Sequence, residues 1–295
     1  MRTDGDDWDI VTSVGATALL VATLRSLGAA EPDPLVQDDF ARLFVEAAGD
    51  TFFSRALTDP TLTAGSSFPI DHMSLRTKHF DEFFLSAAAE GIGQAVIVAA
   101  GLDARALRLP WPPGAVVFEI DQPRVLEFKD RVLAAHEIES GPQRQVVAVD
   151  LRDDWPSRLC AAGFDAARAT AWSCEGLLGY LPGAAQDALF ERIHALSAPG
   201  SRLAVDTFVS GLDIERVVRV EGRGINKDLM GGIDVTELFY TDERSDPTRW
   251  LESHGWTVRS TLPGELSNAY GKTIPRAASG EANMSDWTEY LTAIK

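Results

Sequence analysis

The sequence predicts an α/β protein in which a mostly parallel sheet carries helices on both faces, and three observations predict it. Up to about residue 90 the apolar residues recur at three- and four-residue spacing, the period of helices. From there four short apolar strands, AVIVAA, AVVFEID, QVVAVD and ATAWSCE, are each followed by a turn and a helical stretch. Strands alternating with helices at that spacing imply right-handed crossovers between parallel neighbours. At 295 residues the chain is also long enough for one large domain of this kind or two small ones.

The first apolar stretch, IVTSVGATALLVATL, follows Asp4, Asp6, Asp7 and Asp9, the reverse of the basic segment that opens a secretory leader. Arg25 ends it too early for a membrane span, so it reads as a core-packed helix. Helical spacing recurs in LLVATLRSL, DDFARLFVEAAG and RTKHFDEFFLSAAAEG, with Pro32 and Pro34 separating the first two helices. After the four strands come the helix AAQDALFERIHALSAPG and a fifth strand, SRLAVDT. DPTRWLESHGWTVRSTL reads as a helix stopped at Gly255 and then a strand, and SDWTEYLTAI reads as an edge strand. Ser210 to Asp246 holds GRGIN and MGG with little strand pattern and reads as a mobile substrate lid.

Acidic residues outnumber basic ones 44 to 27, for a formal net charge of -17, and no run of Lys and Arg exceeds a pair. That balance repels phosphate backbones and speaks against a nucleic-acid partner. It favours cationic small ligands, alongside the plainer reading of a generic acidic surface. Cys160 and Cys174 are too few for a disulfide framework and no zinc spacing exists, so the expectation is a cytoplasmic protein without a metal site.

The residues that bear on function stand at strand ends. Gly101, Asp121, Asp150 and Glu175 each fall at the C-terminal end of one of the first four strands, and in a parallel sheet those ends line one crevice. Three carboxylates facing one cleft need hydroxyls, amines or a cation to satisfy them. Asp121 lies 20 residues past Gly101, where a dinucleotide fold places the acid that takes both ribose hydroxyls; the plainer alternative is an N-cap for QPRVLEFKDRVL. Asp150 suits an exocyclic adenine amine, with the Leu151 amide donating to a ring nitrogen, or else a turn. Glu175 interrupts the apolar stretch AWSCEGLLGYL, which points to a nearby cation or ammonium. Gly101 lets the backbone come close to a ligand, or forms a tight turn.

The loop AAGLDAR offers one glycine where a pyrophosphate site wants G-x-G-x-x-G, and it puts Asp103 where phosphate would sit. A nicotinamide-dependent oxidoreductase is thereby disfavoured. The ligand that fits is a nucleoside with a positive tail, and S-adenosylmethionine has ribose, adenine, a sulfonium and an ammonium.

These residues occur in runs, GLDARALRLPW, FEIDQPRVLEFK, VAVDLRDDW and EGLLGYLP, that resemble the leucine carboxyl methyltransferase family, especially its bacterial branch of S-adenosyl-L-methionine-dependent methyltransferases. SVGATALLVATLRS, PLVQDDFARLF and RTKHFDEFF are similar to that branch too, and the likeness runs over roughly residues 10 to 260. The resemblance implies a Rossmann-like class I methyltransferase fold in a single domain, with a mostly parallel seven-stranded sheet and an antiparallel strand near one edge. It further implies a helical N-terminal cap over 1–90, a cofactor-binding core over 91–210, a lid insertion after strand five over 211–246, and a C-terminal helix with edge strands over 247–295.

Carried over one at a time, the resemblance implies that Arg76, otherwise read as a solvated helix arginine, pairs with the cofactor's carboxylate. It makes Gly101 the close-approach glycine, Asp121 the ribose ligand, Asp150 with Leu151 the adenine edge, and Glu175 a further cofactor contact. The family's loop often carries glycine two positions before Gly101; here Ala99 stands there and serves if its φ stays negative. The family's activity implies methyl transfer from S-adenosylmethionine to a carboxylate of a small molecule or peptide. A carboxylate acceptor needs no general base, whereas a hydroxyl acceptor needs one, for which Tyr240 and His254 are candidates. His254 reads more simply as a helix C-terminal residue meeting the dipole. A non-catalytic S-adenosylmethionine binder would keep every cofactor residue and lose only the acceptor site.

Overall fold

The computed structural model describes residues 14–59, 68–139, 143–209, 239–274 and 284–295. Helices come first: α1 (Val14–Ala29), α2 (Asp39–Ala48), α3 (Thr51–Ala56) and α4 (Phe68–Ala89). Alternation follows, with β1 (Gln94–Val98), α5 (Arg105–Arg108), β2 (Val116–Asp121), α6 (Pro123–Ala135), β3 (Arg144–Ala148) and α7 (Trp155–Ala161). Next are β4 (Ala171–Cys174), a tight helical turn (Leu178–Tyr180), α8 (Gly183–Leu196) and β5 (Arg202–Phe208). Beyond these lie α9 (Pro247–Ser253), β6 (Thr257–Thr261), α10 (Pro263–Tyr270), α11 (Met284–Trp287) and β7 (Thr288–Ile294).

The strands form one seven-stranded sheet of order β3-β2-β1-β4-β5-β7-β6. β1 to β5 are parallel, and β7 runs antiparallel to both of its neighbours. One expectation is corrected here, because SDWTEYLTAI does not form an edge strand: β7 lies between β5 and β6. Its composition explains the position. Tyr290 faces one core while Leu291 and Ala293 face the other, so both sides of β7 are covered. The more polar β6, TVRST, takes the exposed edge, where unpaired backbone groups meet water.

Helix entry follows local chemistry. Asp38 accepts from the amide of Ala41 at 3.1 Å to start α2, and Asp50 accepts from Phe52 and Phe53 to start α3. The first apolar stretch folds into α1 from Val14 onward, with Ala16, Leu19 and Ala22 buried. Among the described residues no helix is long and apolar enough to cross a membrane. Asp4 to Asp9, and residues 210–238 of the predicted lid, lie outside the described residues.

Both faces of the sheet are covered. On one, Val96, Phe118, Ile120, Trp172 and Leu203 pack with Trp155 and Leu159 of α7 and with Leu189 and Phe190 of α8. On the other, Ile97, Val117, Ala204 and Tyr290 pack with Leu75, Phe80 and Phe84 of α4. α1 and α2 join α6 through Leu19, Phe44, Val45, Phe128 and Val132, which carries α1 toward the carboxyl end of β1.

One charged cluster belongs to the core. Glu119 of β2 accepts from Lys129 Nζ at 2.7 Å and from Arg144 Nε at 2.9 Å. Lys129 also donates to the Asp103 carbonyl, so a single ammonium pins α6 and the loop after β1 to the sheet. All of these side chains are buried, and removing one partner leaves an uncompensated charge. Lys129→Met is therefore expected to lower the unfolding free energy by about 3–5 kcal/mol, read from a urea titration. A loss below about 1 kcal/mol would show that apolar packing replaces the pair.

Candidate active site

The loop after β1 shapes the floor of a cleft. Ala99 has φ 54° and Gly101 φ 50°, both left-handed, so the chain doubles back above β2. The condition under which alanine serves without strain, a negative φ, is thus not met: the tight return places Ala99 in a conformation that favours glycine. At Gly101 the packing is close as well, since an added Cβ would stand 3.5 Å from Ala18 of α1.

Asp121, the last residue of β2, answers this loop directly. Its carboxylate accepts from the Gly101 amide and from the Gln122 amide, each at 2.6 Å. Gln122, whose side chain makes no capping bond, is the residue that caps α6, so Asp121 is not its N-cap. Burial raises the Asp121 carboxyl to about 6, against the lowering effect of those two amides. Asp150, two residues past β3, accepts from Gln122 Nε2, from the Arg152 amide at 2.8 Å and from Arg152 Nη2 at 2.7 Å. Its turn role is therefore present in the structure. Partial burial raises the Asp150 carboxyl, but Arg152 and Gln122 outweigh it and hold the group below its ordinary value. The Leu151 carbonyl accepts from Arg192 Nη1 at 3.2 Å.

Glu175, directly after β4, has the cations that its sequence position calls for, and the protein supplies them. Arg25 Nη2 of α1 lies 2.8 Å from its carboxylate, Arg76 Nε of α4 2.9 Å, and Arg105 Nη1 of α5 2.6 Å. Burial works to raise the Glu175 carboxyl, yet Arg105, Arg25 and Arg76 together hold it well below the usual range. Around this group the charges alternate. Asp206, two residues before the end of β5, lies 3.5 Å from Arg76 Nη1 and accepts from the Gly176 amide at 2.6 Å. Asp81 of α4 binds Arg105 and Arg108, and Asp103 binds Arg105 while lying 3.8 Å from Arg25.

Two expectations change with this network. Asp103 is a buried ion-pair partner, not an open charge on the loop, because Arg105 two residues later turns back onto it. Its carboxylate therefore supplies no free repulsion toward phosphate. Arg76 is likewise no solvated helix arginine: its side chain is 11% exposed and lodged between Glu175 and Asp206.

These groups meet in a cleft of about 380 Å³ beyond the carboxyl ends of β1 to β4. Arg76, Gly101, Asp121, Asp150, Leu151 and Glu175 all line it, as do Arg25, Tyr180 and Tyr240. His254 is not part of it. That ring stacks on Trp250 at 3.7 Å, and its Nδ1 meets the Trp250 carbonyl at 2.7 Å at the end of α9. Arg25, Arg105 and Asp206 went unread as site residues in the sequence, although two of them left a signal. Arg25 is a lone charge in an apolar helix, and Asp206 stands near the C-terminal end of a fifth strand, much as the other acids stand at theirs.

A sheet of order β3-β2-β1-β4-β5-β7-β6 with β7 reversed, and a cleft edged by one acid from the end of each of β2, β3 and β4, defines a class I methyltransferase fold. A solved protein of Thermobifida fusca YX, named by inference a methyltransferase, shares that fold with TM-score 0.56 and 16% identity over 94% of each chain. The sequence profile of the leucine carboxyl methyltransferase family matches residues 18–194. A protein of Rhodococcus jostii (strain RHA1), described by inference as an S-adenosyl-L-methionine-dependent methyltransferase, is 56% identical over 100% of both chains. One of Mycobacterium leprae (strain TN) with the same description is 48% identical over 100% of this chain and 97% of its own. The chain belongs to the leucine carboxyl methyltransferase family.

Two substitutions test the construction of the cleft. Ala99→Gly relieves the left-handed alanine at the cost of a freer unfolded chain, and the balance is expected to raise stability by about 0.5–1 kcal/mol in chemical denaturation. Unchanged or lowered stability would show that the loop carries no strain. Glu175→Gln leaves Arg25, Arg76 and Arg105 facing one another and is expected to cost about 3 kcal/mol or more. A variant that melts like the parent would contradict the role of Glu175 as their shared counter-ion.

Proposed function

We propose that this cleft holds S-adenosylmethionine and that the chain passes its methyl group to a carboxylate oxygen of an acceptor. The observation that carries the reading is the convergence of Gly101 and three strand-end acids on one cleft, in a member of a methyltransferase family. Membership of that family, and not the charge of Asp103, sets the oxidoreductase alternative aside.

In this reading Asp121 accepts from the ribose hydroxyls, Asp150 from the adenine amine, and the Leu151 amide donates to the ring. Gly101 allows the close approach, Arg76 meets the cofactor's carboxylate, and Glu175 faces its ammonium. When bound, the cofactor supplies a methyl group on a sulfonium, whose positive charge disperses as an oxygen attacks. The residues bind, orient and exclude water, which is where most of the rate in such a displacement arises. Glu175 and Asp150 are held ionised by arginines and are already engaged as acceptors, so they suit a reaction that removes no proton from its acceptor. A carboxylate is such an acceptor, and the activity for which the family is named is the support for choosing it over a hydroxyl. Both cysteines are free thiols, in keeping with a reducing cytoplasm.

The test is transfer of label from methyl-tritiated S-adenosylmethionine into a panel of carboxylic acids. A labelled product that releases methanol in mild base supports a methyl ester. A base-stable product rejects the carboxylate, and label that never leaves the cofactor favours a binder without catalysis.

Cofactor affinity should also follow Asp121. With its carboxyl at about 6, the ionised acceptor is present above that pH and lost below it. Calorimetric titration is therefore expected to show S-adenosylmethionine binding about tenfold more weakly at pH 5 than at pH 7. Asp121→Asn should bind weakly at both values. A wild-type affinity flat across that range would remove Asp121 from the ribose.

A further inference from the structure

Beyond the acids, the cleft has a second wall of different character. Leu177, Tyr180, Leu181 and Pro182 from the segment after β4 line it together with Tyr240, and none of these side chains is charged. Tyr240 belongs to the chain that returns to the core after the undescribed residues 210–238, so two distant segments build the surface.

The two segments are fastened tightly. The Tyr240 amide donates to the Gly179 carbonyl at 3.0 Å, and Arg244 donates to the carbonyls of Leu178, Leu181 and Tyr240. The Gly183 amide donates to Asp242 at 2.8 Å, and Gln186 Nε2 reaches the Ser245 carbonyl at 2.9 Å. Contact at Gly183 is so close that an added Cβ would stand 2.1 Å from the Glu243 carbonyl oxygen. Phe239 stacks on Tyr180 at 4.9 Å and meets Phe208 at 5.9 Å, which backs the wall with a further aromatic layer. Such a wall is held in place before any ligand arrives.

The cleft is meanwhile short of open cations. Arg25 is committed to Glu175 and Arg152 to Asp150, and Arg76, paired with Glu175, is the residue assigned above to the cofactor's carboxylate. A polar acceptor with several charges would find few partners there, whereas an apolar one gains from covering the tyrosines and the proline. Among the described residues the Tyr240 hydroxyl takes no hydrogen bond, although its backbone is pinned on both sides.

We infer that the Tyr180–Tyr240 wall seats the acceptor, and that the acceptor is an aromatic monocarboxylic acid whose carboxylate accepts a hydrogen bond from the Tyr240 hydroxyl. This rests on the reading of the cleft as a methyl-transfer site. In the step, the free carboxylate oxygen forms a bond to the methyl carbon while the carbon–sulfur bond breaks and its electron pair stays on sulfur. The products are a methyl ester and the uncharged thioether, and no proton is released. Tyr240 holds one oxygen and leaves the other to attack, so it is a residue that positions the acceptor.

The experiment is calorimetric titration of the full chain, first with S-adenosylhomocysteine and then, once loaded, with cinnamate, phenylacetate, 2-naphthoate and succinate. At least one aromatic acid is expected to bind, with succinate at least tenfold weaker. Tyr240→Phe should lose about tenfold in affinity for that acid, as expected when a hydrogen bond to a charged group is removed, and keep its affinity for S-adenosylhomocysteine within twofold. Tyr180→Leu supplies a second variant, expected to weaken the aromatic acid and not the thioether. Succinate binding as well as the aromatic acids, or no aromatic acid binding at all, overturns the inference. So does a Tyr240→Phe variant that loses the thioether in place of the acid, which would assign the wall to the adenine. Failure of the wild-type chain to bind S-adenosylhomocysteine is a different result, and it sinks the cofactor reading itself.

Discussion

Three guanidinium groups share one buried carboxylate, and the rest of the site is arranged around that fact. Arg25 comes from α1, Arg76 from α4, Arg105 from α5, and Glu175 from the end of β4. Like charges this close repel strongly in a medium of low polarity, so the arrangement stands only because further anions interleave with the cations. Asp103, Asp206 and Asp81 do so, each from a different place in the chain. The network thereby fastens the helices that precede the sheet to the ends of its strands. The cleft is the space left between them, and its charges are oriented by the fold before a ligand enters.

That arrangement follows from the parallel sheet. Every crossover returns the chain to the same side, so β1 to β4 all release their next residue toward one crevice, and short polar side chains there meet whatever ligand occupies it. The same geometry makes the loop after β1 tight. The chain must leave the strand, clear β2 and enter α5 within a few residues, and left-handed conformations at Ala99 and Gly101 achieve it. The Asp121 carboxylate then receives the Gly101 amide, so the residue that gives the cleft its acid also supports its floor.

Strand identity and the strand-end acids were legible in the sequence because both depend on local signals: short apolar runs, and a charged residue where each run stops. Those signals located Asp121, Asp150 and Glu175, and the resemblance added Arg76. The position of β7 was not legible, since pairing order is decided by which strand can bury both faces, and alternation in TEYLTAI does not reveal its neighbours. The fate of Asp103 was hidden for a similar reason. A loop acid looks open until the guanidinium two residues on, and a second from α1, are seen to fold over it. Sequence also left Ala99 undecided, because φ at a turn is imposed by the strand and the helix it joins.

The place of β7 bears on how the molecule comes together as it is made. β6 pairs with β7 alone, yet the ribosome delivers β6 before β7 exists. Until then β5 has no neighbour on that side, and the polar β6 has nothing to join. The sheet therefore cannot be completed in the order of synthesis: its final strand must enter between two that are already present. Pairing that reaches so far along the chain is slow relative to local structure. During that interval Leu203 and Val205 of β5 lack the cover that Leu291 and Ala293 later provide, and the nascent chain is open to unwanted strand partners.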